Sequence, residues 1–228
     1  MQERLGPAHL SYLQVQMQRP LTIFVPPLRR ILPRQYVDAF WAGGVLRLSN
    51  FATFAKLDGA SQRDSTEGHA TIVQNDKESD RSYMAHSSIG QNAYVLSFTS
   101  RTRLPEEFGD AAMEIIEPIG FCGDIANMIP GCTSAMIGPC IYVDEKVLSS
   151  GGPVPSVEDF RLGDGSTNLS LNKVMAHFQS LQGPQSYFLK DRVYEDQSEF
   201  RMIWETISVV NDPLLINVPS LMNHCKKP

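Results

Sequence analysis

The residues best suited to chemistry lie where polar side chains run straight into apolar ones, in Tyr194-Glu195-Asp196-Gln197-Ser198-Glu199-Phe200-Arg201-Met202-Ile203-Trp204. Side chains in a strand alternate between faces, so a strand here predicts Glu195, Gln197 and Glu199 on one face and Phe200 and Met202 on the other. Three polar acceptors on one rim are a site-like arrangement. A glutamine cannot act as a general base, so Gln197 suits orientation rather than proton abstraction. Two earlier segments also carry polar groups on strand-like runs. In Val45-Leu46-Arg47-Leu48-Ser49, Arg47 faces opposite its leucine neighbours, with Ser49 a further candidate. In Tyr94-Val95-Leu96-Ser97-Phe98-Thr99-Ser100, Ser97 and Thr99 share the face opposite Phe98, and Ser100 follows at the strand end.

The loop Arg63-Asp64-Ser65-Thr66-Glu67-Gly68 offers a second group of candidates. Arg63, Asp64 and Glu67 could line a cleft beside Glu199, or an Arg-Asp pair could simply clamp the loop. Glu199 could likewise pair with Arg201 as part of a charged strand edge. A metal-dependent nuclease would need hard oxygen ligands such as Asp64, Glu67, Glu195 and Glu199 around magnesium, but no companion lysine motif accompanies them. No metal site is expected. Gly-x-Ser-x-Gly and the phosphate-binding glycine-rich loops are absent from the sequence. Cys122, Cys132, Cys140 and Cys225 form no C-x-x-C pair and read as buried free thiols.

Elements to position these groups follow from spacing and breakers. Pro26, Pro27 and Pro33 preclude a regular helix before Arg34, so residues 1–33 read as an N-terminal arm and residues 34–228 as one domain. Helices are expected over Arg34 to Ala42, Phe121 to Ile129, Leu171 to Leu181 and, briefly, Ser186 to Val193. Asn50 can cap a short helix running to Lys56. Strands are expected at Val45 to Ser49, His69 to Val73, Tyr94 to Ser100, Ile137 to Val143, Ser198 to Thr206 and Leu214 to Val218. Pro139 favours an edge position. Ala112 to Glu117 fits either type. Asn75 to Gln91 and Ser149 to Thr167 read as loops. The expected class is α+β, with a mixed, largely antiparallel sheet, split around a cleft, and flanking helices.

The formal net charge of −5 gives no overall drive toward nucleic-acid phosphates. No apolar run nears the ~18 residues that cross a bilayer, and no secretory signal is visible at the N-terminus. No membrane partner is expected, and the expected location is cytoplasmic.

An arginine, a serine/threonine cluster and a Gln-x-Glu, in that order on three strands, resemble the mono-ADP-ribosyltransferase pattern. The resemblance implies NAD as substrate and a macromolecular acceptor, protein or nucleic acid. It implies that Arg47 holds NAD phosphate, and that Ser97, Thr99 and Ser100 brace the glutamate and the nicotinamide-side ribose. Glu199 would stabilise an oxocarbenium-like centre as nicotinamide departs, and Gln197 would orient the acceptor. Such a protein is expected to be a bacterial toxin, defence or phage effector; the other reading is a non-catalytic binding protein on the same sheet. A compact transferase would then carry an insertion over residues 101 to 185. A second set of motifs covers roughly residues 36 to 205: Tyr36-x-x-Ala39-Phe40, Gly44-x-Leu46-Arg47-Leu48-Ser49, Phe54, Arg63-Asp64-x-x-Glu67-Gly68, Leu96-Ser97-Phe98-Thr99 and Glu199-Phe200-Arg201. These resemble a poorly characterised bacterial and phage domain family with no settled activity. They add Arg63, Asp64, Glu67 and Arg201 to the candidates.

Overall fold

Helix α1 (Arg34–Gly43) buries Val37 and Phe40 and ends at Gly44, whose left-handed φ of 72° lets its N–H close back onto Phe40 O at 2.6 Å. A Cβ at Gly44 would lie 2.2 Å from Val218 O, so the turn also needs glycine for close approach. β2 (Val45–Asn50) follows at once. Asn50 Oδ1 then accepts from Thr53 N at 2.9 Å and Thr53 Oγ1 at 2.7 Å, capping the short helix α2 (Phe51–Phe54) as its residue type predicts.

The computed structural model describes residues 25–54, 66–76, 78, 80–102, 108–151, 153–163, 167–181 and 183–228. The remaining elements are β1 (Leu28–Leu32), β3 (His69–Asp76), β4 (Arg81–Ser88), β5 (Ala93–Thr99), β6 (Ala111–Ile115), α3 (Pro118–Ala126), β7 (Cys132–Pro139), β8 (Ile141–Val143), β9 (Val147–Gly151), α4 (Leu171–Leu181), β10 (Leu189–Asp191), β11 (Glu199–Thr206), β12 (Leu214–Asn217) and β13 (Cys225–Lys226). The result is the expected α+β class, a curled and largely antiparallel sheet with helices against it. No described helix is long and apolar enough to cross a membrane.

β5 is the hub. β11 pairs along one whole side of it, from Glu199↔Thr99 to Glu205↔Ala93. The other side is shared: β2 takes Val95 and Tyr94 through Ser49 and Asn50, whereas β1 takes Thr99 through Arg29. Among the described strands none pairs with Leu96 to Phe98 on that side, so the sheet forks into a β2–β12 branch and a β1–β6–β13 branch. Beneath the fork lies the main core, built from Leu46, Leu48, Leu96, Phe98, Met202 and Trp204 with Phe40 of α1 and Phe121 and Ile125 of α3. Each large apolar side chain buried this way contributes roughly 1.5–3 kcal/mol. Trp204 keeps its polar atom satisfied by donating Nε1 to Cys122 O at 3.0 Å.

Several elements depart from the sequence reading. Leu28–Leu32, assigned to an outer arm, is a sheet strand between β5 and β6; the adjacent pair Arg29-Arg30 interrupts its apolar run and leaves no clear period. Residues 1–24 lie outside the described residues. Asn75 to Gln91 is not a loop but contains β4, which reads as polar because one of its faces is exposed. The loop expected at Ser149 to Thr167 begins in β9, parallel to β3. Ser186 to Val193 forms no α-helix: it is divided among a 3-10 helix at Pro184–Phe188, β10, and a 3-10 helix at Arg192–Gln197. Ala112 to Glu117 resolves as strand β6. Ile137 to Val143 breaks at Cys140, and β7, ending in Pro139, pairs only with β11 among the described strands.

Candidate functional site

Parity along the three adjacent strands β2, β5 and β11 decides which side chains meet. With Leu46, Leu48, Leu96, Phe98, Phe200 and Met202 turned to the main core, the alternate residues Arg47, Ser97, Thr99, Glu199 and Arg201 occupy the opposite face. On it Glu199 and Arg201 are buried at 6% and 1% exposure, deep enough that their charges must be met by protein groups.

They are met by a four-charge network. Glu199 Oε1 accepts from Arg201 Nε at 2.7 Å and from Ser97 Oγ at 2.7 Å, while Glu199 Oε2 pairs with Lys190 Nζ of β10. Lys190 Nζ also donates to Gln197 Oε1 at 3.0 Å. On its other side Arg201 Nη1 donates to Tyr187 O at 2.8 Å and lies 2.7 Å from Glu67 Oε1. That last contact is a close ion pair in which no hydrogen is aligned on the carboxylate oxygen. The Glu199 backbone is fixed too, its N–H donating to Tyr142 OH at 2.7 Å and its carbonyl accepting from Cys140 N at 2.8 Å.

The electrostatic consequences differ for the two acids. Burial pushes the Glu199 carboxyl up, but Arg201 and Lys190 overcome it and hold the group well below the usual carboxylate range. Burial also dominates at Glu67, and there it prevails over Arg201 and Lys190, leaving that carboxyl raised. Arg201 is held firmly charged: its burial opposes the charge, and Glu199 and Glu67 more than restore it. Gly68, at φ 73°, makes the turn that brings Glu67 here; a Cβ would come within 2.9 Å of Phe51 Cβ.

The sequence-derived candidates fall into three groups. Ser97, Gln197, Glu199, Glu67 and Arg201 converge and line one cavity of about 150 Å³. Arg47 shares their sheet face but is exposed and lies outside that lining, and Ser49 sits one strand pair further along at Val95. Thr99 serves the backbone, donating Oγ1 to Gln197 O at 2.6 Å and accepting from Arg101 N at 3.0 Å; Ser100 is exposed past the strand end. Arg63 and Asp64 lie outside the described residues.

One expectation is corrected. Glu195, Gln197 and Glu199 do not alternate along one strand, because β11 starts only at Glu199 and residues 192–197 form a 3-10 helix. Ser198 stands between them at φ 44°, a left-handed conformation that a non-glycine residue adopts at a cost. The helix turns Glu195 to solvent, where it faces Arg192 at 3.9 Å. Gln197 still reaches the site, but through Lys190 rather than by strand parity.

Two residues of the site escaped the sequence reading. Lys190 was placed in a helix, and only the Leu189-Lys190-Asp191 alternation hints at its strand. Arg30 was placed in the arm; its Nη1 donates to Ser97 O at 2.9 Å, filling the bare edge of β5 at the fork. Among the described residues no group of three or more His, Cys, Asp or Glu side chains is placed to hold a metal ion. The chain matches no family model, no curated protein and no solved structure.

Proposed function

We propose that this protein is an NAD-dependent, mono-ADP-ribosyltransferase-like enzyme, an effector acting in the cytoplasm on a protein or nucleic-acid acceptor. The observation that supports this reading is the Ser97 hydroxyl bracing Glu199 at 2.7 Å, on a sheet face shared with Arg47. In this scheme the bond between nicotinamide and ribose C1 breaks and nicotinamide leaves with the electron pair. The ribose centre becomes positive, and a carboxylate held ionised in a low-dielectric site lowers the energy of that state. The acceptor then bonds to C1 and gives up its proton to solvent water. Arg47 would hold phosphate, and Gln197 would orient the acceptor. Arg201 and Ser97 fill Glu199 Oε1, whereas Oε2 meets Lys190 alone, so a ribose hydroxyl would donate to Oε2 beside Lys190.

The three protein donors on Glu199 also favour a second reading, a non-catalytic binding module in which the network is a structural clamp. The two part in one assay: incubation of the purified protein with NAD, alone and with a lysate of its natural host. The enzyme releases nicotinamide or transfers labelled ADP-ribose; the module does neither.

A further inference from the structure

Glu205 lies toward the other end of β11, on the same face as Glu199 and Arg201, but its charge is handled differently. It is half-buried, and among the described residues no arginine, lysine or histidine forms an ion pair with it. Two neutral hydroxyls hold it instead. Tyr187 OH donates to Glu205 Oε1 and Ser134 Oγ to Glu205 Oε2, each at 2.5 Å. An ionised carboxyl offers about four lone-pair sites, so each oxygen keeps room for a further donor. Burial, and then the adjacent carboxylate, push the Tyr187 phenol up, so it remains a neutral donor.

Glu205 also lines a cavity of about 560 Å³ together with Tyr187, Asn92, Gln91, Pro184 and Val209. Two contacts fix its walls. Val210 N donates to Gln91 O at 2.7 Å, tying the turn after β11 to the turn before β5, and Asn92 Nδ2 donates to Thr206 O at 3.0 Å. The second contact orients the Asn92 amide and leaves its Oδ1 without a protein donor and open to solvent. Glu205 and Asn92 thus bring a carboxylate and an amide oxygen to a cavity that, among the described residues, no cationic side chain lines.

We propose that this cavity binds a primary ammonium on an alkyl chain, the ammonium donating to the Glu205 carboxylate with Asn92 Oδ1 as a second acceptor, and the methylenes lying along Pro184 and Val209. An ammonium carries three donors and no acceptor, which matches a charged group and an open amide oxygen that both accept. Charge-assisted hydrogen bonds are roughly twice as strong as neutral ones, and a half-buried carboxylate is screened less than a surface charge. The cavity shares no lining residue with the one beside Glu199, so the inference is independent of the transferase reading.

NMR titration of the isotope-labelled full chain with butylamine, butan-1-ol and a lysine capped at both backbone ends, at fixed pH and ionic strength, tests it. Butan-1-ol has nearly the same shape and no charge, so butylamine is expected to bind at least about tenfold more tightly, with signals of Asn92 and Tyr187 shifting. The capped lysine separates two sources of the same ammonium: binding tighter than butylamine assigns the cavity to a lysine side chain of a partner, and weaker binding assigns it to a free amine. Glu205→Gln keeps the shape and removes the charge, so butylamine should weaken at least about tenfold while butan-1-ol stays unchanged. The wild-type comparison decides even if that variant fails to fold. Butylamine binding no tighter than butan-1-ol overturns the proposal. So does the absence of any saturable shift with butylamine at tens of millimolar, as for a cavity holding only water, or an equal affinity in folded Glu205→Gln.

Discussion

Ser97 and Glu199 are not register partners: Ser97 lies opposite Arg201 and Glu199 opposite Thr99, yet Ser97 Oγ reaches diagonally to Glu199 Oε1 at 2.7 Å. Diagonal neighbours on one sheet face are within reach of longer side chains, and here the serine and the arginine opposite it both act on the same carboxylate oxygen. That shared oxygen makes Ser97 the least disruptive handle on the network.

Ser97→Ala removes a hydroxyl donor to a buried charge and keeps both ion pairs. Hydrogen bonds to charged groups contribute about 1.5–3 kcal/mol, so urea unfolding should show a loss in that range with an unchanged denaturant slope. A loss within error would mean that the hydroxyl contributes nothing net.

Glu199→Gln keeps shape but leaves Lys190 and Arg201 with too few anions. Breaking a buried pair by removing one partner typically costs about 3–5 kcal/mol, and a comparable loss is expected for Lys190→Met. Turnover of NAD, measured on protein shown to be folded, should fall ~10²-fold or more for Glu199→Gln. Glu195→Gln, on the exposed 3-10 helix, should change neither stability nor turnover.

Stability should depend on pH through both acids, with opposite signs. The Glu199 pKa is lower in the folded than in the unfolded chain, so its contribution is complete above the ordinary value of 4.5 and is lost as pH falls toward the folded pKa. The Glu67 pKa is raised above 4.5, so its contribution is greatest below that value and is lost as pH rises through the folded pKa. Unfolding free energies measured from pH 3 upward in the wild type, Glu199→Gln and Glu67→Gln separate the two. The first variant should lack the acid-side loss, and the second should lack the loss on raising pH. Parallel curves for all three proteins would rule out this assignment.

The cysteines are free, and burial pushes the thiols of Cys122 and Cys225 up to about 12 and that of Cys140 higher still. Thiolates are the reactive form, so iodoacetamide at pH 7.5 should leave these three unmodified in native protein and label them after denaturation. Mass spectrometry that finds rapid native labelling at Cys140, whose N–H holds Glu199 O at 2.8 Å, would mean that the site opens readily.

Local regularities carried much of the architecture in the sequence itself. The helical period from Leu171 to Leu181, the Asn50 cap and the opposition of Phe98 to Ser97 and Thr99 all depend on neighbours a few residues apart. Parity likewise placed Glu199 and Arg201 opposite Phe200 and Met202. Only the tertiary structure decided what those charges meet. The partners of Glu199 come from β5, β10 and β11, and Glu67 joins from the turn before β3, 134 residues away from Arg201 (201 − 67). No period links such positions, because an ion pair in a buried site depends on chain reversals and sheet order rather than on spacing. Strand alternation likewise could not reveal that Ser198 would turn left-handed and send Gln197 to Lys190 by another route. Arg30 was least legible of all: its place at the fork exists only because β1 and β2 each take a different end of β5.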